Sequence, residues 1–201
     1  MNIAFIGMAC ALGLSAMGSA FGSGFAAQAS VGAWKKCYAN GKPAPFIMVA
    51  FSGAPLTQTI YGFLLMNFIR SAVEGGCDSL LAMFTGIFAG LAIGLSALFQ
   101  GKVAAASADA LGETGKGTAN YFIVIGLIET VALITLEISL LLLQSNRKKD
   151  QGQGGSDPFF MPAPVWICCI GADLLFLSRG PNHASAQIHV DGEQPSSTAG
   201  I

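Results

Sequence analysis

Gly126-Leu127-Ile128-Glu129-Thr130-Val131-Ala132-Leu133-Ile134-Thr135-Leu136-Glu137-Ile138-Ser139-Leu140-Leu141-Leu142-Leu143 is the stretch whose reading decides the fold. Its Leu, Ile, Val and Ala content suits a helix that crosses a bilayer, which takes about 20 mostly apolar residues. Glu129 interrupts it. An ionised carboxylate alone in hydrocarbon costs about 3 kcal/mol or more, so the group must be protonated, hold a cation or face a counter-charge. An acid placed there marks a functional site by default, and the rest of the chain reads as machinery for managing it.

Outward from that stretch, the composition agrees. Of 201 residues 53% are hydrophobic and only 10% charged, and the mean hydropathy is +0.61. Such a chain cannot cover itself with a water-facing surface and belongs in a membrane. A net charge of -1 leaves no basic footprint, so nucleic acid is excluded as a partner. Cys10, Cys37, Cys77, Cys168 and Cys169 lack zinc-type spacing and read as small hydrophobes or free thiols. No nucleophile-base set or phosphate loop is visible, so neither a catalytic site nor a cofactor is expected. The first apolar run lacks a basic leader and is too long for a signal peptide, which predicts a retained helix.

Four apolar segments follow one another, at about residues 3–31, 46–72, 80–110 and 120–144. Polar loops separate them: one carries Lys35, Lys36, Asn40, Gly41, Lys42 and Pro43, the next Glu74-Gly75-Gly76, and the third spans 112–117 with Lys116. The third segment turns polar at Lys102, Ser107, Asp109 and Glu113, which predicts that it projects into water. The fold class is therefore an all-α membrane protein, four transmembrane helices in two tandem hairpins, residues 1–75 and 78–146. Gly13-Leu14-Ser15-Ala16 matches Gly94-Leu95-Ser96-Ala97, and Thr57 can be set beside Thr130, which puts Leu56 in the place of Glu129. A duplicated hairpin in which only the second copy keeps the carboxylate is the reading, a pattern common in transport proteins. Gly86, Gly90 and Gly94 recur every four residues, as do Gly18 and Gly22, with Ala11, Ser15 and Ser19 in a second row. Small residues on one helix face let backbones approach closely, which predicts a tight helix bundle.

The second helix carries Ala54-Pro55-Leu56-Thr57-Gln58-Thr59-Ile60-Tyr61. Pro55 cannot donate to the carbonyl of Phe51, so backbone oxygen is freed at membrane depth beside Thr57 and Gln58. Thr57, Gln58 and Tyr61 fall within one turn, and the third helix adds Gln100. A hard monovalent cation wants several neutral oxygens and one carboxylate. The Thr57 hydroxyl, the Gln58 and Gln100 amide oxygens, a backbone carbonyl and Glu129 supply such a set, which points to Na+. The same groups also suit hydrogen bonds to a protonated carboxyl, so Na+ and H+ compete for one position.

On these residues the chain resembles the proteolipid of rotary V/A-type ATPases, the c-type or K subunit of bacterial enzymes, over about residues 1–146. The most specific pieces are Pro55-Leu56-Thr57-Gln58-Thr59-Ile60-Tyr61-Gly62-Phe63, Gln100-Gly101-Lys102-Val103-Ala104-Ala105-Ala106 and Ile128-Glu129-Thr130. The resemblance implies a homo-oligomeric ring in the membrane rotor, with central-stalk subunits and a stator membrane subunit that presents an Arg, in a multi-pass protein of the cell membrane. It implies that Glu129 binds the transported ion. In sodium-translocating members Thr57, Gln58, Gln100 and the backbone carbonyl of Ala54 would complete the cage, and Tyr61 would bond the carboxylate. The sodium-type pattern has Leu at position 54 and Gly at 56, where this chain has Ala54 and Leu56. Loop charge leaves orientation undecided, since Lys35, Lys36, Lys42 and Lys116 balance Arg70, Arg147, Lys148 and Lys149. The resemblance puts the hairpin loops in the cytoplasm, against the stalk.

Two stretches fall outside that pattern. Glu137 lies eight residues after Glu129, about 80° round the helix, and is read as facing a helix interface or reaching for the nearby helix end. Residues 147–201 are read as an atypical tail, poorly ordered or spurious: a Gly/Gln linker at 151–156, an apolar run at 159–177 broken by Pro162, Pro164 and Asp173, and a polar end with His183 and His189 that are not ligands. Against the sodium-carrying rotor stand a strictly proton-translocating ring, and a membrane scaffold or pore in which the polar residues only join helices.

Overall fold

The computed structural model describes residues 3–150, and the expectations for 151–201, with Cys168, Cys169, His183 and His189, lie outside the described residues. The described part is helical throughout, with short turns and no strand. The helices are α1 (Ala4–Ala39), α2 (Met48–Gly53), α3 (Thr57–Glu74), α4 (Ser79–Thr114) and α5 (Thr118–Asp150). A 3-10 turn, Ala54–Leu56, joins α2 to α3. Four stretches are long and apolar enough to cross a membrane: Ala4–Ala39, Met48–Glu74, Ser79–Thr114 and Thr118–Asn146.

Glycine sets the closest approach in the fold. A Cβ on Gly18 would strike the backbone of Gly94, one on Gly86 the backbone of Gly7, and one on Gly101 the backbone of Gly22. These pairs ascend together along both helices, so α1 and α4 run parallel, backbone against backbone; the spacing by four predicts close packing but does not name this partner. α3 packs antiparallel on α1, with Gly62 against Ser15 and Pro55 against Gly22. α5 returns along α4, antiparallel to it. The side chains that point away are Phe21, Phe25, Phe88, Leu91, Leu127, Val131 and others of their kind, all exposed in the single chain. That distribution suits hydrocarbon or another copy as the surroundings, not water.

Two boundaries differ from the sequence reading. α1 does not end near residue 31 but runs through Lys35 and Lys36 to Ala39. Its 36 residues span about 54 Å, more than the roughly 30 Å of a hydrocarbon core, so its charged end need not enter lipid. There Lys36 Nζ meets Asp109 at 2.7 Å and Glu113 at 3.4 Å, and Trp34 Nε1 donates to the Pro45 carbonyl at 2.9 Å. α4 likewise continues to Thr114. Gly112 is a contact residue inside that helix, its absent Cβ making room for Ala33, while the helix stops at Gly115, which takes φ +67 in the left-handed region. α4 also begins at Ser79, capped by Asp78, whose carboxylate accepts from the Leu81 N–H at 3.2 Å. The second crossing is one helical stretch, Met48–Glu74, as expected, and tightens to a 3-10 turn around Pro55, whose missing N–H favours it.

Candidate functional site

Glu129 lies near the middle of α5, and α3 and α4 converge on it. Its side chain points inward: the residue is only 7% exposed, and Gln58, Gln100 and Tyr61 around it are at 0%, 0% and 1%. Burial of two amides, a phenol and a carboxylate in one place requires partners, since each unpaired polar group costs about 1–3 kcal/mol. The partners are one another. Tyr61 Oη donates to Glu129 Oε1 at 2.7 Å. Gln100 Nε2 donates to the Ile125 carbonyl at 3.2 Å and makes a longer contact with Glu129 Oε2 at 3.4 Å. Gln58 Nε2 donates to Gln100 Oε1 at 2.6 Å, and the Thr57 hydroxyl lies 3.1 Å from the Ala54 carbonyl and 3.2 Å from Gln58 Oε1.

The bonds have a direction. Donation runs from Gln58 to Gln100 and from Gln100 to Glu129, the single Thr57 hydroxyl proton has the Ala54 carbonyl and Gln58 Oε1 as alternative acceptors, and Tyr61 meets the carboxylate from the other side. The short phenol bond is the stronger of the two at the acid, and a bond to an ionised carboxylate is about twice as strong as a neutral one. The sequence therefore folds into a circuit that ends on Glu129. Each glutamine carries both a donor and an acceptor on one amide, so a half-turn of the amide exchanges N for O. As the amides stand, Gln58 Oε1 faces the Thr57 hydroxyl and Gln100 Oε1 faces Gln58 Nε2.

All six positions singled out from the sequence thus meet in one group: Ala54, Thr57, Gln58 and Tyr61 from the second crossing, Gln100 from α4 and Glu129 from α5. Ala54 joins through its carbonyl, which accepts from the N–H of Thr57 and lies 3.1 Å from its hydroxyl. Leu56 points out, 52% exposed, and does not crowd the group. Glu137 stays apart, on the exposed side of α5 and not at an interface between helices of this chain. Two participants lie outside the set expected from the sequence. Ser96 Oγ donates to the Ile128 carbonyl at 2.9 Å, and the Ile125 carbonyl accepts from Gln100. Ser96 stands four residues before Gln100, on the same face of α4, and that spacing is the signal in the sequence that could have found it.

Comparison with known proteins bears on the same residues. Residues 81–142 match the family model for the C subunit of ATP synthase. That match takes in Ser96, Gln100 and Glu129 and leaves Ala54, Thr57, Gln58 and Tyr61 outside it. The chain is also 36% identical over 154 residues to the A-type ATP synthase subunit K of Methanocaldococcus jannaschii, an alignment that covers 73% of this chain. It spans 64% of the length of that relative.

Proposed function

The chain belongs to the c-type proteolipids of V/A-type ATPases, multi-pass membrane proteins, and from that premise we propose that it is a rotor-ring subunit that carries Na+ by reversible binding at Glu129. The observation that carries this reading is the oxygen-rich group around the buried acid. A proton needs one carboxylate and one acceptor, whereas Thr57, Gln58, Gln100 and the Ala54 carbonyl add four further oxygens, a set suited to a hard cation. The Thr57 hydroxyl already stands 3.1 Å from the Ala54 carbonyl and 3.2 Å from Gln58 Oε1.

In this reading a ring of identical copies turns past a stator subunit, driven by ATP hydrolysis in a soluble head through a central stalk, or driving synthesis in reverse. Loaded with Na+, Glu129 is neutral and passes through lipid. Opposite an Arg of the stator the guanidinium replaces the ion as counter-charge, Na+ leaves, and the carboxylate is held by Tyr61 and by the Gln100 amide until it reloads. Moving one monovalent ion against 100 mV costs about 2.3 kcal/mol, so the load is shared among copies that step in turn. The protein hydrolyses nothing itself.

A second reading is favoured by a specific observation: the circuit closes without a cation, every amide and hydroxyl around Glu129 having an acceptor within the group. A ring that carries H+ alone fits that closure. Carbodiimide labelling of Glu129 in purified rings separates the two. Na+ protects Glu129 at neutral pH if it is the cargo, and leaves labelling unchanged if only H+ is carried. Glu129→Gln abolishes labelling and transport in both; transport that survives it would instead mark the protein as a scaffold or pore.

A further inference from the structure

Two side chains of α4 reach past the carboxylate to the backbone of the helix that bears it. Ser96 Oγ donates to the Ile128 carbonyl at 2.9 Å and Gln100 Nε2 to the Ile125 carbonyl at 3.2 Å. The donors are four residues apart and the acceptors three, so one face of α4 grips one face of α5 at two successive turns. Ser15, Ser30 and Ser139 each return a hydroxyl to the carbonyl four residues back in their own helix, at 2.7, 2.9 and 2.7 Å. Ser15 and Ser30 add longer contacts to carbonyls of neighbouring helices, Gly90 at 3.5 Å and Met48 at 3.2 Å, whereas Ser96 crosses to its neighbour at 2.9 Å. Its acceptor is the peptide oxygen that immediately precedes Glu129, and a carbonyl engaged in its own helix still has a lone pair to receive it.

We propose that Ser96 is a positioning residue for ion binding: by holding the Ile128 carbonyl it fixes the rotation of α5 and aims the Glu129 carboxylate at Tyr61 and Gln100. The proposal rests on the ion-carrying reading above. Side-chain atoms stand about 6 Å from a helix axis, so a 10° turn of α5 moves a carboxylate oxygen by about 1 Å. That is enough to break the 2.7 Å bond from Tyr61, and the 3.4 Å contact from Gln100 has nothing to spare. Ser96 touches no cargo. Its removal leaves the Ile128 carbonyl bonded within its helix, and Ala is the best helix former, so the effect on the fold is small.

The test uses rings of the full chain, as wild type, Ser96→Ala, Ser96→Thr and Ser139→Ala. Equilibrium binding of radioactive Na+ and the rate of carbodiimide labelling of Glu129 in Na+-free buffer are measured on each. Ser96→Ala should bind Na+ about three- to tenfold more weakly, the range expected for loss of one hydrogen bond between membrane helices, and should label faster, with thermal unfolding of the ring unchanged. Ser96→Thr, which keeps the hydroxyl, should recover most of both. Ser139→Ala should match wild type. The proposal is overturned if Ser96→Ala keeps wild-type binding and labelling, if Ser96→Thr is as impaired as Ser96→Ala, or if Ser96→Ala rings fail to assemble. Should wild-type rings bind no Na+, the sodium reading falls by itself, and the labelling rates alone decide the role of Ser96.

Discussion

The two faces of α4 are built from different residues, side-chain-free glycine on one and hydrogen-bonding Ser96 and Gln100 on the other, and do different things. Toward α1 it presents Gly86, Gly90, Gly94 and Gly101, where contact is chiefly backbone on backbone, with the Ser15 hydroxyl 3.5 Å from the Gly90 carbonyl. Toward α5 it presents Ser96 and Gln100, whose every polar atom is committed across the helix boundary. The first face fixes how far apart the helices lie. The second uses that fixed distance to bring hydrogen-bonding groups within reach of Glu129. A membrane helix lacks the hydrophobic drive that assembles soluble cores, so close packing has to come first and interhelical hydrogen bonds can then be specific.

Substitutions that respect this division should separate assembly from ion binding. The largest effect is expected at Gly90→Leu. A Cβ there would lie 2.7 Å from the Cys10 carbonyl oxygen and 2.9 Å from the Ala11 Cα, both backbone atoms that cannot step aside. Overpacking of this kind costs about 1–3 kcal/mol even where side chains can adjust. The α1–α4 contact should therefore be lost, read as failure to purify intact rings from the membrane. If Gly90→Leu rings form and bind ions normally, the glycine face is not what spaces the helices.

Next come Thr57→Ala and Gln58→Ala, on the site side. Rings should assemble, with Na+ binding weaker by about tenfold for each, the worth of one lost oxygen ligand or hydrogen bond to a charged group. Gln58→Ala also strands Gln100 Oε1, which should make it the more severe of the pair. Unchanged Na+ binding in both would place Thr57 and Gln58 outside the ion's ligand set, whereas an absence of Na+ binding in wild-type rings would favour the proton-only ring. The smallest effect is expected at Tyr61→Phe, which deletes one oxygen and keeps the ring packed. Since its bond is made to the carboxylate and not to the cargo, Na+ binding should change only about threefold, while carbodiimide labelling of Glu129 in Na+-free buffer should accelerate. A slower reaction would show that the phenol exposes the acid instead of sheltering it.

How much of this could be read in the sequence depends on whether the information is local. The glycine spacing on α1 and α4 is periodic, so the packing faces were legible, but not that they meet each other. The acid in an apolar span announced itself by its cost, and Pro55 announced the freed backbone oxygen beside Thr57 by its missing N–H. Helix ends were less legible. Lys35 and Lys36 look like a loop because charges do not sit in lipid, but α1 extends beyond any lipid and carries them as ordinary helical residues, with Lys36 paired to Asp109 and Glu113. Gly112 looks like a turn and is a packing residue, because glycine serves both purposes and only the neighbouring helix decides which. The role of Ser96 depends on the register of α4 against α5. One residue of slip would point its hydroxyl at a different carbonyl, and nothing within either helix alone sets that register. The direction of donation through Gln58 and Gln100 is illegible for a related reason, since an amide side chain reads the same whichever end faces the acid.

The backbone seam between α1 and α4 has a mechanical side. Where helices meet through long side chains, a small push is absorbed by torsions that swing and settle. Here the meeting atoms are main-chain atoms with almost no freedom, and the pair behaves as one stiff double rod. Force applied at the tips that carry Lys36, Asp109 and Glu113 would reach the far end with little lost to bending, and the level of Glu129 would move when the tips move.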